Sequence, residues 1–93
     1  MLSRQQSLAL ASRLRTMIAN APTEIGQLIA WYDSVEDFRK SLSPEMSNAV
    51  PESVWHFLAD VDIGLKDAEY FGWRRTAAEK AINGLESPSK EAM

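Results

Sequence analysis

Placed on a helical wheel at steps of about 100°, the apolar residues of the first segment fall on one side. Leu10, Ala11, Leu14, Met17, Ile18 and Ala21 occupy an arc of about 120° within residues 4–21. Ser3 followed by Gln6 is a capping-box pair, which satisfies unpaired N–H groups at a helix start. Asn20-Ala21-Pro22 closes the segment, because proline drives the residue before it away from helical torsions. A first amphipathic helix is predicted between these signals.

Thr23 offers the next N-cap, and Glu24 suits the positive end of a helix dipole. Ile25, Leu28, Ile29 and Tyr32 share one face, whereas Trp31, Val35, Phe38 and Leu42 share another, displaced by roughly 100°. A straight helix cannot turn both stripes to one core. Ser34-Val35-Glu36-Asp37 also reads as a fresh capping sequence. The pattern predicts helices over 23–33 and 34–42, separate or sharply kinked at Asp33-Ser34.

Ser43-Pro44-Glu45 opens a short helical turn, with proline at the first position where its missing N–H costs nothing. Asn48-Ala49-Val50-Pro51 interrupts it. Beyond Pro51, the residues Val54, Phe57, Leu58, Val61, Leu65 and Ala68 form the cleanest stripe in the chain. Past Ala68 the stripe moves to Tyr70, Phe71, Ala77, Ala78, Ala81 and Ile82, which places a boundary near Asp67, itself able to cap the next helix. Arg74, Arg75 and Lys80 then lie towards the end that favours cations. Asn83-Gly84 is the expected C-cap, with Leu85 making the accompanying apolar contact. No stretch alternates as a half-buried strand would. The expected architecture is all-α, a compact bundle of four to five short helices over residues 1–85, with 86–93 as a mobile tail.

Composition narrows the classes without naming a function. Of 93 residues, 45% are apolar and 25% charged, enough apolar surface to offset the entropy of folding one small domain. With no cysteine, disulfides, zinc–thiolate sites, iron–sulfur clusters and thiol nucleophiles are excluded. The lone His56 excludes a two-histidine metal site within one chain. No apolar run of about eighteen residues exists to span a bilayer as a helix.

The net charge of −3 is unevenly spread. Residues 1–22 carry Arg4, Arg13 and Arg15 and no acid, residues 23–69 carry ten acids against Arg39, Lys40 and Lys66, and residues 70–93 are nearly balanced. An acidic middle segment can neutralise the basic first helix or face a basic partner. Residues 1–18 also have the arginine- and serine-containing, acid-free composition of a transit peptide. Their removal would leave little core, so they are read as a structural helix, and cytoplasmic residence is the expectation.

Candidate chemistry fares poorly. Asp60-Val61-Asp62-Ile63-Gly64 opens like a calcium loop, but the later ligand and turn positions hold Gly64, Leu65 and Phe71. His56 and Asp60 share a helix face, yet two ligands do not make a metal site. No phosphate loop, nucleophile elbow or zinc-protease motif is present. The reading is therefore a non-enzyme without cofactor or metal. Tyr70-Phe71-Gly72-Trp73-Arg74-Arg75 interleaves aromatic and basic groups, as nucleic-acid surfaces do, but spreads them around the helix. Residues 23–42 could form a helix-turn-helix, though Glu36 and Asp37 would repel phosphates at the start of its second helix.

The aromatic surplus points further. Trp31, Trp55 and Trp73 each lie off the main apolar arc of their helix, which suggests that a second helix layer, a second copy or a partner covers them; the alternative is a bundle that packs on two sides of each helix and takes up all three. The leading expectation is a protein-binding adaptor, inhibitor or regulatory subunit. It would use Trp31, Trp55 and Trp73 as anchors and the acidic segment, with Asp60 and Asp62, to steer a basic protein or a second copy of the chain. The alternative is a nucleic-acid-binding regulator using the basic first helix and Arg74-Arg75; membranes are not an expected partner.

Overall fold

The computed structural model describes residues 2–86 and shows an all-α chain. Six α-helices follow in order: α1 (Arg4–Ala19), α2 (Leu28–Ser41), α3 (Pro44–Ala49), α4 (Glu52–Ala59), α5 (Val61–Lys66) and α6 (Ala68–Glu86). A 3-10 turn, Ile25–Gln27, leads into α2. The expected mobile tail lies outside the described residues except for Glu86, which belongs to the last turn of α6.

Local chemistry sets the helix starts. The Ser3 hydroxyl accepts from the Gln6 N–H at 3.1 Å while the Gln6 side chain accepts from the Ser3 N–H at 2.9 Å, a complete capping box. Ser43 caps α3 by accepting from the Met46 N–H at 3.2 Å, with Pro44 at the first helical position. Asp67 caps α6 through the Tyr70 N–H at 3.1 Å.

Four boundaries depart from the sequence pattern. Thr23 does not cap a helix: its N–H donates to the Gln27 side chain, and α2 begins only at Leu28, after the 3-10 turn. No break occurs at Asp33-Ser34: α2 is continuous, and the Ser34 hydroxyl donates to the Ala30 carbonyl at 3.0 Å instead of capping a new helix. The stripe of Ile25, Leu28, Ile29 and Tyr32 is instead left partly in water, with Ile25 64% and Ile29 81% exposed. The clean stripe after Pro51 is divided at Asp60, whose torsions (φ −104°, ψ 16°) leave the helical well; Val54, Phe57, Leu58 and Val61 still reach one core. Asn83-Gly84 does not end α6, and no described glycine has positive φ. Arg15 of α1 holds this last turn in the helix by donating to Asn83 and, through Nε at 3.0 Å and a second N–H, to both carboxylate oxygens of Glu86.

The core gathers Leu10, Leu14 and Ile18 of α1, Trp31 and Phe38 of α2, and Val54, Phe57 and Leu58 of α4 with Ala78 and Ile82 of α6. Burying a side chain such as Phe57 contributes about 2–3 kcal/mol. The long α6 packs against α1, α4 and α5. Its approach to α5 is close enough to demand glycine: a Cβ on Gly64 would sit 2.2 Å from the Phe71 ring and 3.0 Å from the Phe71 Cβ. The molecule measures 45 × 27 × 16 Å, a slab about two helices deep at the usual interaxial spacing of 8–10 Å.

Candidate functional site

The three tryptophans meet three different fates. Trp31 is only 5% exposed, and its Nε1 donates to the Leu58 carbonyl at 3.2 Å. This ring belongs to the core, so the exposed aromatic area expected there is not present. Trp55 is half-buried, with its ring centroid 6.3 Å from that of Phe38. Trp73 stands out in solvent at 63% exposure.

The surroundings of Trp73 are ordered by contacts along α6 and across to the α4–α5 junction. Residues 70, 73 and 74 share a helix face by their spacing. The Tyr70 and Trp73 ring centroids lie 6.2 Å apart, and the Arg74 guanidinium sits 5.4 Å from the first and 5.2 Å from the second. Arg74 Nε donates to the Tyr70 hydroxyl at 2.9 Å, and that hydroxyl donates to Asp60 Oδ2 at 3.1 Å. The chain Arg74–Tyr70–Asp60 thus fixes one wall of the indole.

Asp62 is tied to α2. Its Oδ1 accepts from the Tyr32 hydroxyl at 3.0 Å, a hydroxyl shared with the Ala59 carbonyl at 3.2 Å. Burial, and next the bond to Asp62, raise the Tyr32 phenol above its ordinary value of 10.0. Exposed Ile63 follows directly. Of the five residues singled out from the sequence, Trp73 and Asp60 therefore meet through Tyr70 at the α4–α5–α6 corner, Asp62 turns to Tyr32 of α2, and Trp31 and Trp55 pack elsewhere. Tyr32, Tyr70 and Arg74 were not picked out as its organisers. The i,i+4 spacing of Tyr70 and Arg74 was the available signal; the partners from α2 and the hinge at Asp60 had none in the sequence.

No protein-family model, curated protein or solved structure matches the chain. Function must be read from the surface itself. His56 Nε2 lies 3.5 Å from Glu52 Oε1, one turn earlier on the same helix, and Asp60 is turned to Tyr70 instead of His56. Among the described residues no three metal-ligating side chains cluster, and no helix is long and apolar enough to cross a membrane. The arginines proposed for nucleic acid diverge. Arg13 donates to the Ser41 hydroxyl at 2.6 Å and lies over Phe38, Arg15 reaches α6, and Arg75 faces Glu79 at 3.9 Å.

Proposed function

We propose that the chain is a non-enzymatic protein-binding domain, an adaptor, inhibitor or regulatory subunit acting in the cytoplasm, with Trp73 as its anchor. The observation that carries this reading is the ordered exposure of the Trp73 indole against Tyr70 and Arg74. An exposed indole is costly in water and valuable at an interface, where tryptophan, tyrosine and arginine dominate binding energy. Holding the ring in place beforehand lowers the entropy lost on docking. Asp60, bonded to Tyr70 beside the indole, and Asp62, on α5 towards α2, add negative potential that speeds encounter with a basic surface.

A photoreactive phenylalanine analogue placed at exposed Thr76, one turn from Trp73, tests this in cells of the source organism. A discrete protein adduct that disappears in the Trp73→Ala background is the expected result. Adducts indifferent to Trp73, or none, would remove the anchor and the reading with it.

A further inference from the structure

The outward face of α6 runs uncovered along most of the helix. At about 100° per residue, Glu69, Gly72, Trp73, Thr76, Lys80 and Gly84 fall within an arc of about 120°, turned away from buried Ala78 and Ile82, and each of the six is exposed. The one large apolar group on this face is the Trp73 indole, flanked on one side by Tyr70 and Arg74. Glu69 stands one turn before the indole and Lys80 two turns after it, both close to its own direction around the helix. Neither Glu69 nor Lys80 belongs to an ion pair among the described residues. At 1.5 Å per residue they stand about 16 Å apart along the axis, too far to pair with each other.

An antiparallel second α6 removes that separation. With a two-fold axis beside Thr76 and Ala77, the partner's Lys80 comes level with Trp73 and one turn from Glu69. The symmetry forms the same contact twice. An ammonium placed there stacks on the solvent-facing part of the indole and approaches the Glu69 carboxylate. In this register Thr76 faces the partner's Ala77 and Gly84 faces the partner's Glu69, so small groups at the axis and at both ends admit an interaxial distance of about 8 Å. A Cβ on Gly72 or Gly84 would meet nothing of the chain within 4 Å, so packing inside one copy does not call for glycine at either position. A foreign basic protein would use the indole and Glu69 but leave Lys80 without a counterpart. A second copy satisfies all three.

We infer that the outward face of α6 pairs two copies of this chain about a two-fold axis near Thr76, Trp73 and Glu69 of each receiving the partner's Lys80. The pairing rests on Trp73 being the anchor proposed above, and it names a second copy as the protein bound there. A face one helix wide is narrow beside the roughly 1,200–2,000 Å² of a stable interface, so the association is weak.

Sedimentation equilibrium of the full chain, from about 10 μM to about 1 mM, tests the pairing across the range expected of a weak dimer. Dimer should fill over that range, with a blue shift of the tryptophan emission that Trp73→Ala abolishes. Glu69→Lys and Lys80→Glu, both at exposed positions, set like charges together, and each should weaken self-association by about tenfold or more. Mixed in equal amounts, the two variants should bind one another more tightly than either binds itself, because each carries the charge the other has lost. A parent that stays monomeric throughout, self-association indifferent to either change, or no gain on mixing would each overturn the inference. Its failure is separable from that of the proposed function: a monomer that still gives a Trp73-dependent adduct with a different protein keeps the anchor and excludes the second copy.

Discussion

The indole of Trp31 on α2 donates its N–H to the Leu58 carbonyl at the end of α4, 27 positions along the chain. The last carbonyls of a helix have no partner within it, and α4 ends at Ala59 because Asp60 leaves helical torsions. Consecutive side chains of α2 supply what is missing, Trp31 to Leu58 and Tyr32 to Ala59. Trp31→Phe keeps most of the ring volume but strands that buried carbonyl. A loss of about 1–3 kcal/mol is expected in urea denaturation, with the slope against denaturant unchanged. A loss below about 0.5 kcal/mol would mean that water replaces the indole without penalty.

Gly64→Ala tests the closest helix contact. The new methyl group would meet both the ring and the Cβ of Phe71, so α5 and α6 must separate. Overpacking of this kind costs about 1–3 kcal/mol. Phe71→Leu removes ring atoms and also the edge-on contact with Phe57 at 5.3 Å. The double variant should be more stable than the sum of the single losses predicts, because the second change makes room for the first.

The Arg15–Glu86 pair gives a pH signature. Its hydrogen bond to Arg15 is the main cause that lowers the Glu86 carboxyl below its ordinary 4.5. A depressed acid contributes stability that is complete above the unfolded value and is lost as pH falls through the folded one. Glu86→Gln should therefore be less stable than the parent at neutral pH and converge with it under acid. Parallel pH curves would show that the pair contributes nothing through ionisation.

Tyr32→Phe and Tyr70→Phe release Asp62 and Asp60 respectively. Each should cost about 1 kcal/mol and speed amide exchange across α5 before other helices respond. The Tyr32 phenol should also titrate above 10.0 in ultraviolet absorbance. Its neutral form is favoured in the fold, so this contribution is present below 10.0 and fades as pH rises through the higher folded value. A Tyr32 titration at the ordinary value would place its hydroxyl in water.

Trp73→Ala should leave stability within about 0.5 kcal/mol, since the ring is mostly exposed. The variant should lose the most water-exposed component of the tryptophan emission. A large loss of stability would make Trp73 a structural residue and leave the anchor without its main support.

Much of this was legible from local pattern. Ser3 with Gln6, Ser43 with Pro44, and Asp67 mark helix starts because caps act within one turn. The stripe of α1 predicted its buried residues for the same reason. What failed was the premise that both stripes of residues 25–42 must be buried. Trp31 and Phe38 are, whereas Ile25 and Ile29 face water, so no kink was required. The extension of α6 past Gly84 was also hidden, because it rests on Arg15, some seventy residues earlier in the chain. At the candidate site the acidic residues and Trp73 could be named, but their assembly depends on phenols from α2 and α6 that only folding brings to α5.

The two-layer slab has a mechanical corollary. Leu58 and Ala59 are gripped at their carbonyls by Trp31 and Tyr32, and Asp60 at its carboxylate by Tyr70, so three adjacent residues form a stiff spine between α2 and the outlying indole. Trp31 is itself part of the core, and Tyr70 touches Trp73. With so little material in between, a load applied at either end has a short, continuous line of bonds to the other.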